Sequence, residues 1–237
     1  VLLTGFAGKL GDCMNSASEL SLFLDCSGPG VKIGLLCEAG WLHYQYSPVP
    51  ALEAVSAEME KLLKHTDTQW EAIRETIFCS GPGSQLGLRV GAISLQAWHT
   101  TSGMQLRTFA LMPAAGFLLV QQHHRDFLLV APARKGEWHR IQFQDGKPVS
   151  AASTVAITDI GWEQGIPAFW IPHRELGEDL PGPFQRWEPD WSTTSMEFWR
   201  QHHLLSEALP QNLLSHQSVS SYTRWDGQIH QKPASST

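Results

Sequence analysis

Cys79-Ser80-Gly81-Pro82-Gly83-Ser84-Gln85-Leu86-Gly87-Leu88-Arg89-Val90-Gly91 is the run on which the reading of the fold turns. The short apolar strand Ile77-Phe78 leads into it, and an apolar, helix-like segment running to Thr100 leads out of it. Gly81 and Gly83 open backbone angles closed to other residues, and Pro82 stiffens the turn between them. Ser84 is placed to cap the helix by accepting from a free N–H of its first turn. Gly87 and Gly91 follow, four residues apart. Each costs about 1 kcal/mol of helix stability relative to alanine, so a helix carrying both is expected to lie close against another backbone.

Upstream, Ser21 to Leu24 is mostly apolar, as a buried strand is. Gly28-Pro29-Gly30 makes a turn; residues 31–37 read as the second strand of a hairpin and 41–46 as a third strand. Leu52, Val55, Met59, Leu62 and Leu63 recur at helical spacing within 50–65, with Glu53, Glu58, Lys61 and Lys64 on the opposite face. A turn or short helix at 70–74 and a strand at 76–79 return the chain to the glycine run. Downstream, 116–120 and 127–130 are apolar runs of strand length, 138–143 alternates, Gly146 offers a turn, and 167–171 is a further buried-strand candidate. Residues 174–193, rich in Pro, Glu, Asp and Trp, read as an irregular loop. Thr194 and Glu197 have capping-box spacing. They open an amphipathic helix with Phe198, Leu204, Leu205 and Leu209, and Pro210 stands just past its end.

The glycine run resembles the Gly-Pro-Gly-Ser-Phe-Thr-Gly-Leu-Arg-x-Gly signature of the TsaB (YeaZ) family. Ser21-Leu22-Phe23-Leu24-Asp25-Cys26-Ser27 stands where that family has an apolar strand ending Asp-Thr-Ser. Ala131-Pro132-Ala133-Arg134-Lys135-Gly136-Glu137-Trp138 is similar to its Asp-Ala-Arg-x-Gly-Glu-Val-Tyr segment, and Ser221-Tyr222-Thr223-Arg224 to its terminal Pro-x-Tyr-Leu-Arg. Gln85 and Leu86 replace the Phe and Thr of the signature, Cys26 the Thr of Asp-Thr-Ser, and Tyr46-Ser47 the His-Ser before the first helix. The chain thus reads as a divergent member.

The resemblance implies a two-lobed α/β, actin-like (ASKHA, ribonuclease-H-like) fold. The expected lobes are 19–107 and 108–225, with an N-terminal extension at 1–18 and a polar tail at 226–237. It also implies a non-catalytic, cytoplasmic subunit for the synthesis of threonylcarbamoyladenosine in tRNA. Its expected partners are a TsaD-like catalytic subunit and a TsaE-like ATPase, and it is expected to be a homodimer when alone. The helices at 50–65 and 84–100 form the implied docking surface, with Leu52, Val55, Met59, Ser84, Gly87, Leu88, Arg89 and Gly91 as partner-binding candidates. The alternative from another class is an active ASKHA-type kinase or ATPase, and a third reading is a module that has left the tRNA pathway.

Composition bounds these readings. The chain has 237 residues, 42% hydrophobic and 17% charged, as ordinary globular proteins are. A net charge of −6 argues against unaided binding of tRNA, which needs a basic face to displace counterions. Arg134, Lys135 and Arg140 form a short basic cluster that reads as a solvated hairpin rim. No apolar run approaches the ~20 residues a membrane span needs. Cysteines stand at 13, 26, 37 and 79 without Cys-x-x-Cys spacing. Cys26, Cys37 and Cys79 lie in apolar contexts and read as buried free thiols, which suit a reducing compartment.

Little equipment for chemistry is legible. The sequence holds 11 histidines but no His-x-x-x-His, and the adjacent pairs His123-His124 and His202-His203 point apart, so no metal and no cofactor are expected. Actin-like ATPases hold phosphate on backbone N–H groups of a hairpin and use its carboxylate to position magnesium. Here that hairpin reads Asp25-Cys26-Ser27-Gly28-Pro29-Gly30, and Pro29 removes one donor. Asp25, Ser27, Gly83 and Ser84 are the candidate anion or nucleotide contacts. No lysine lies between Lys64 and Lys135 to neutralise a triphosphate at the glycine run, and no Gly-x-Ser-x-Gly marks a serine nucleophile.

Overall fold

The computed structural model describes residues 20–134, 136–163, 165–172 and 183–213. The first lobe opens with three strands, β1 (Leu20–Asp25), β2 (Val31–Cys37) and β3 (Gly40–Ser47), paired antiparallel in sequence order. Helix α1 (Ala51–Thr66) leads to β4 (Ile73–Cys79), and α2 (Gln85–Ser102) leads to β5 (Gln105–Phe109). β4 lies parallel to β1, and β5 parallel to β4. Each crossover must therefore return antiparallel to β1, and α1 and α2 run parallel to one another. The two helices pack together on one face of the sheet.

β1 shows the period-2 logic that places the core. Leu22 and Leu24 point into a cluster with Val55, Met59, Leu62, Leu88, Ala92 and Leu95 of α1 and α2. Phe23 points the other way, into a second cluster with Phe109, Trp191 and Trp199. That cluster joins the lobes. Phe127 and Phe143 of the second lobe belong to it, and so does α3 (Leu111–Gln121).

The second lobe carries β6 (Phe127–Pro132), β7 (Glu137–Gln144), β8 (Lys147–Pro148), β9 (Ser153–Ala156), β10 (Ala168–Trp170) and β11 (Phe184–Arg186). Its sheet order is β11-β10-β6-β7-β8, with β9 also on β7. The chain then turns back. Helix α4 (Met196–Gln201) and β12 (Ser206–Glu207) return to the first lobe, where β12 pairs with β5 at the sheet edge. The expected lobe boundary at 107/108 thus falls inside β5, and the first sheet also takes in a strand from near residue 206.

Several local expectations need correction. Residues 116–120 are not a strand; they belong to α3, whose Leu111, Met112, Ala114, Ala115, Leu118 and Leu119 are all buried. A helix apolar on every side shows no period, so its segment cannot be told from a buried strand. Gly116 meets the ring of Phe143 so closely that a Cβ there would overlap it. Within the expected loop at 174–193, β11 pairs parallel with β10, and 174–182 lie outside the described residues. The last helix is capped by Ser195, whose hydroxyl accepts from the Phe198 N–H at 3.4 Å, while the Thr194 hydroxyl donates to the Trp191 carbonyl at 2.7 Å. It ends at Gln201, and His203 adopts a left-handed φ of 49°, so Leu204, Leu205 and Leu209 lie beyond it. Cys26 and Cys79 are buried free thiols, but Cys37 is disulfide-bonded, against the expectation of a third free thiol. The extension 1–18, the tail 226–237 and the segment Ser221-Tyr222-Thr223-Arg224 lie outside the described residues.

Candidate functional site

The carboxyl end of β1 is where an actin-like fold would meet phosphate, and here it is occupied by the chain itself. Asp25 is buried. Its Oδ1 accepts from the Ser27 N–H at 2.9 Å and the Ser27 hydroxyl at 2.6 Å. Its Oδ2 accepts from the Trp191 indole N–H at 2.9 Å. Burial pushes the Asp25 carboxyl up, but the Lys32 ammonium and the bonds from Ser27 and Trp191 outweigh it and hold the group below its usual range. Lys32 in turn donates to the Pro189 carbonyl at 3.1 Å. The space left among Asp25, Ser27, Gly30, Lys32 and Pro189 is about 20 Å³, room for roughly one water. Small-molecule sites run to some 300–1,000 Å³, far more than the space left among these described residues.

The glycine run seals the same end from the other side. Ser84 caps α2 as expected, its hydroxyl accepting from the Gly87 N–H at 3.2 Å. The Ser84 N–H donates to the Ser27 carbonyl at 2.7 Å. A Cβ on Gly83 would fall 2.5 Å from the Ser27 Cβ, and one on Gly87 would overlap the Cys26 carbonyl oxygen. One on Gly91 would lie 2.8 Å from the Phe78 ring and 3.2 Å from the Cys26 sulfur. The close backbone that these glycines require is the Cys26-Ser27 turn of their own lobe. Two N–H groups that could cradle an anion are spent within the chain. Asp25, Ser27, Gly83 and Ser84 are brought together, as a self-satisfied joint.

The outer face of α1 and α2 is different. Among the partner-binding candidates, Val55, Met59, Gly87, Leu88 and Gly91 are buried inside the lobe, and Ser84 is half-buried. Leu52 and Arg89 are exposed. Three apolar residues outside the expected partner-binding set join them. Leu86 and Ile93 are 59% and 57% exposed, and Val90 between them is half-buried. Spaced i, i+4, i+7, they form one stripe along α2. Leu52, 68% exposed, sits in the first turn of α1, and Tyr46 and Val49 just before it are exposed too. Because the helices run parallel, Leu52 and Leu86 lie at the same end of the pair.

Other clusters carry less. Among the described residues no group of three or more His, Cys, Asp or Glu is placed to hold a metal. His43 and His65, distant in sequence, stack with ring centroids 4.3 Å apart, and burial followed by the charge of His65 holds the His43 pKa below its usual value. Arg134 pairs with Glu137 at 2.6 Å on the β6–β7 rim. No described helix is long and apolar enough to cross a membrane.

No protein-family model matches the chain, and no curated protein does. Solved structures do. YeaZ from Pseudomonas aeruginosa aligns with a TM-score of 0.54 at 19% identity, over 65% of this chain and 75% of that one. A second P. aeruginosa structure, described as an uncharacterized protein with similarity to peptidase YEAZ, gives 0.53 at 20% identity over the same shares. An exopolyphosphatase from Cytophaga hutchinsonii aligns more loosely, with a TM-score of 0.37 at 9% identity over 59% of this chain and 51% of that one. The chain therefore has a YeaZ-like fold: mixed α/β, two-lobed and actin-like.

Proposed function

We propose that this chain is a non-catalytic docking subunit. It binds a TsaD-like catalytic subunit through the α1–α2 face in the synthesis of tRNA threonylcarbamoyladenosine, with a TsaE-like ATPase as a further partner. The observation that carries the reading is the aliphatic stripe of exposed Leu86 and Ile93 flanking half-buried Val90, with exposed Leu52 beside it. Scattered apolar residues on a surface mean nothing, but an aligned set on two packed helices is a recognition surface. The glycine-run resemblance and the YeaZ-like fold support the identity of the partner. Leu86 stands where the signature has threonine, which makes this face greasier. The same face serves self-association when the partner is absent, so the two assemblies compete.

The filled Asp25 joint speaks against the kinase or ATPase alternative, because Trp191 holds the carboxylate that would position magnesium. The test is co-purification with the TsaD-like subunit of the same organism. Leu86→Glu and Ile93→Glu are expected to abolish the complex while the isolated chain stays folded. Buried Gly87 and Leu88 are unsuited to that test, since changing them disturbs the lobe itself. A complex retained by both variants would overturn the docking face, and turnover of Mg-ATP by the isolated chain would overturn the non-catalytic role.

A further inference from the structure

The stripe on α2 does not end at Ile93. One turn on, Ala97 is exposed, and Trp98 lines a groove of about 490 Å³ between the C-terminal ends of α1 and α2. Met59 and Leu63 of α1 and Trp70 of the following loop complete its apolar lining. Trp70 and Trp98 face each other with centroids 5.2 Å apart and planes tilted by 47°.

The rim is negative. Glu60 and Asp67 both line the groove, and neither carboxylate has an ion pair or hydrogen bond among the described residues. Lys64 is the sole basic residue of the lining, so the charges do not cancel. Asp67 caps the C-terminus of α1 at φ 49°. That is an unfavourable place for an anion, because the macrodipole already puts partial negative charge there. α2 ends at the same end of the lobe and adds a second negative pole. The left-handed backbone favours Asp or Asn here, but asparagine would serve the turn without the charge, so the acid itself suits a cation brought from outside.

We propose that this groove receives an arginine of the protein that docks on the α1–α2 face. Its guanidinium stacks on the Trp70–Trp98 pair and forks to Glu60 and Asp67, an inference that rests on the docking reading above. Arginine fits better than lysine: it is planar, stacks on indole, and is weakly hydrated, so it leaves water more readily. Its paired N–H groups also match carboxylate geometry. The groove thus selects among partners that present similar apolar helices, since only one with arginine in register fills it.

The experiment measures the affinity of the TsaD-like subunit for the full chain, for Leu86→Glu, and for the double variant Glu60→Gln with Asp67→Asn. Asparagine tolerates the left-handed backbone at 67, so the double variant keeps the turn. The double variant is expected to bind at least tenfold more weakly, with an affinity that varies less with salt than the parent's. If Leu86→Glu abolishes binding while the double variant stays within twofold of the parent, the arginine site is overturned and the docking reading stands. If the parent chain does not bind, or neither change alters binding, both fall.

Discussion

Replacing Gly87 by alanine sets two effects of known size against each other. Alanine in a helix interior gains about 1 kcal/mol over glycine. Here, however, the new Cβ would overlap the Cys26 carbonyl oxygen, and would lie 3.3 Å from the Ser84 hydroxyl. The carbonyl belongs to backbone bracketed by β1 and the Asp25–Ser27 bonds, so it cannot swing aside as a side chain would. Restoring ordinary contact lifts α2 by about 1 Å, enough to forfeit a quarter to a half of each dispersion contact it makes. Leu88, Ala92 and Leu95 lose packing in consequence. Overpacking of this kind costs about 1–3 kcal/mol. The rigid carbonyl places this site in the upper part of that range, about 2–3 kcal/mol; with the helical gain subtracted, the net loss is about 1–2 kcal/mol, and Tm falls by roughly 2–8 °C for a chain of this length. Differential scanning calorimetry reads it directly. Gly91→Ala is expected to be milder, because the first group it meets is the Phe78 ring at 2.8 Å, a side chain that can shift. An unchanged or raised Tm in Gly87→Ala would refute the internal close-contact reasoning, and so would a larger loss in Gly91→Ala.

Three further outcomes are expected. Trp191→Phe removes the indole donor to Asp25 and costs about 1.5–3 kcal/mol by urea unfolding, the usual size for a bond to a charged group. The Asp25 pKa is depressed on folding, so its contribution is complete above the ordinary carboxylate range and is lost as pH falls through the folded value. Chemical unfolding followed into acid should therefore show a shallower decline in Asp25→Asn than in the parent. Leu86→Glu changes stability by no more than about 0.5 kcal/mol, because the site is exposed and acids suit the first turn of a helix. Calorimetric titration of the isolated chain with Mg-ATP is expected to yield no binding isotherm, the Asp25 end having room for little more than a water.

The glycine run and the strand-strand-strand-helix-strand-helix order carried the first lobe, because each element there has its own period or its own turn. α3 escaped notice because a helix buried on all sides has no amphipathic signature. The exposed α1–α2 face proposed for docking was legible only in part, for a related reason. Helical spacing marks the face that Val55 and Met59 share, and that is the face packed against the chain's own sheet. Leu86 and Ile93 look in sequence like further core residues, and only the packing of α1 beside α2 turns them outward. The Asp25–Trp191 bond spans 166 residues and leaves no local trace. Trp70 and Trp98 meet for the same reason, through the crossover of β4 and α2.

Trp191, Trp199 and β12 reach the first lobe only after the whole second lobe has been made. During synthesis, at some 5–20 residues per second, Phe109 must wait about 4–16 s and Phe23 about 8–34 s for the Trp191 ring that covers them. A nascent chain paused before residue 191 therefore presents a sticky, half-built surface at the ribosome exit, where holdase chaperones work. Production of this protein should accordingly suffer more from slow codons late in the message than from slow codons early in it.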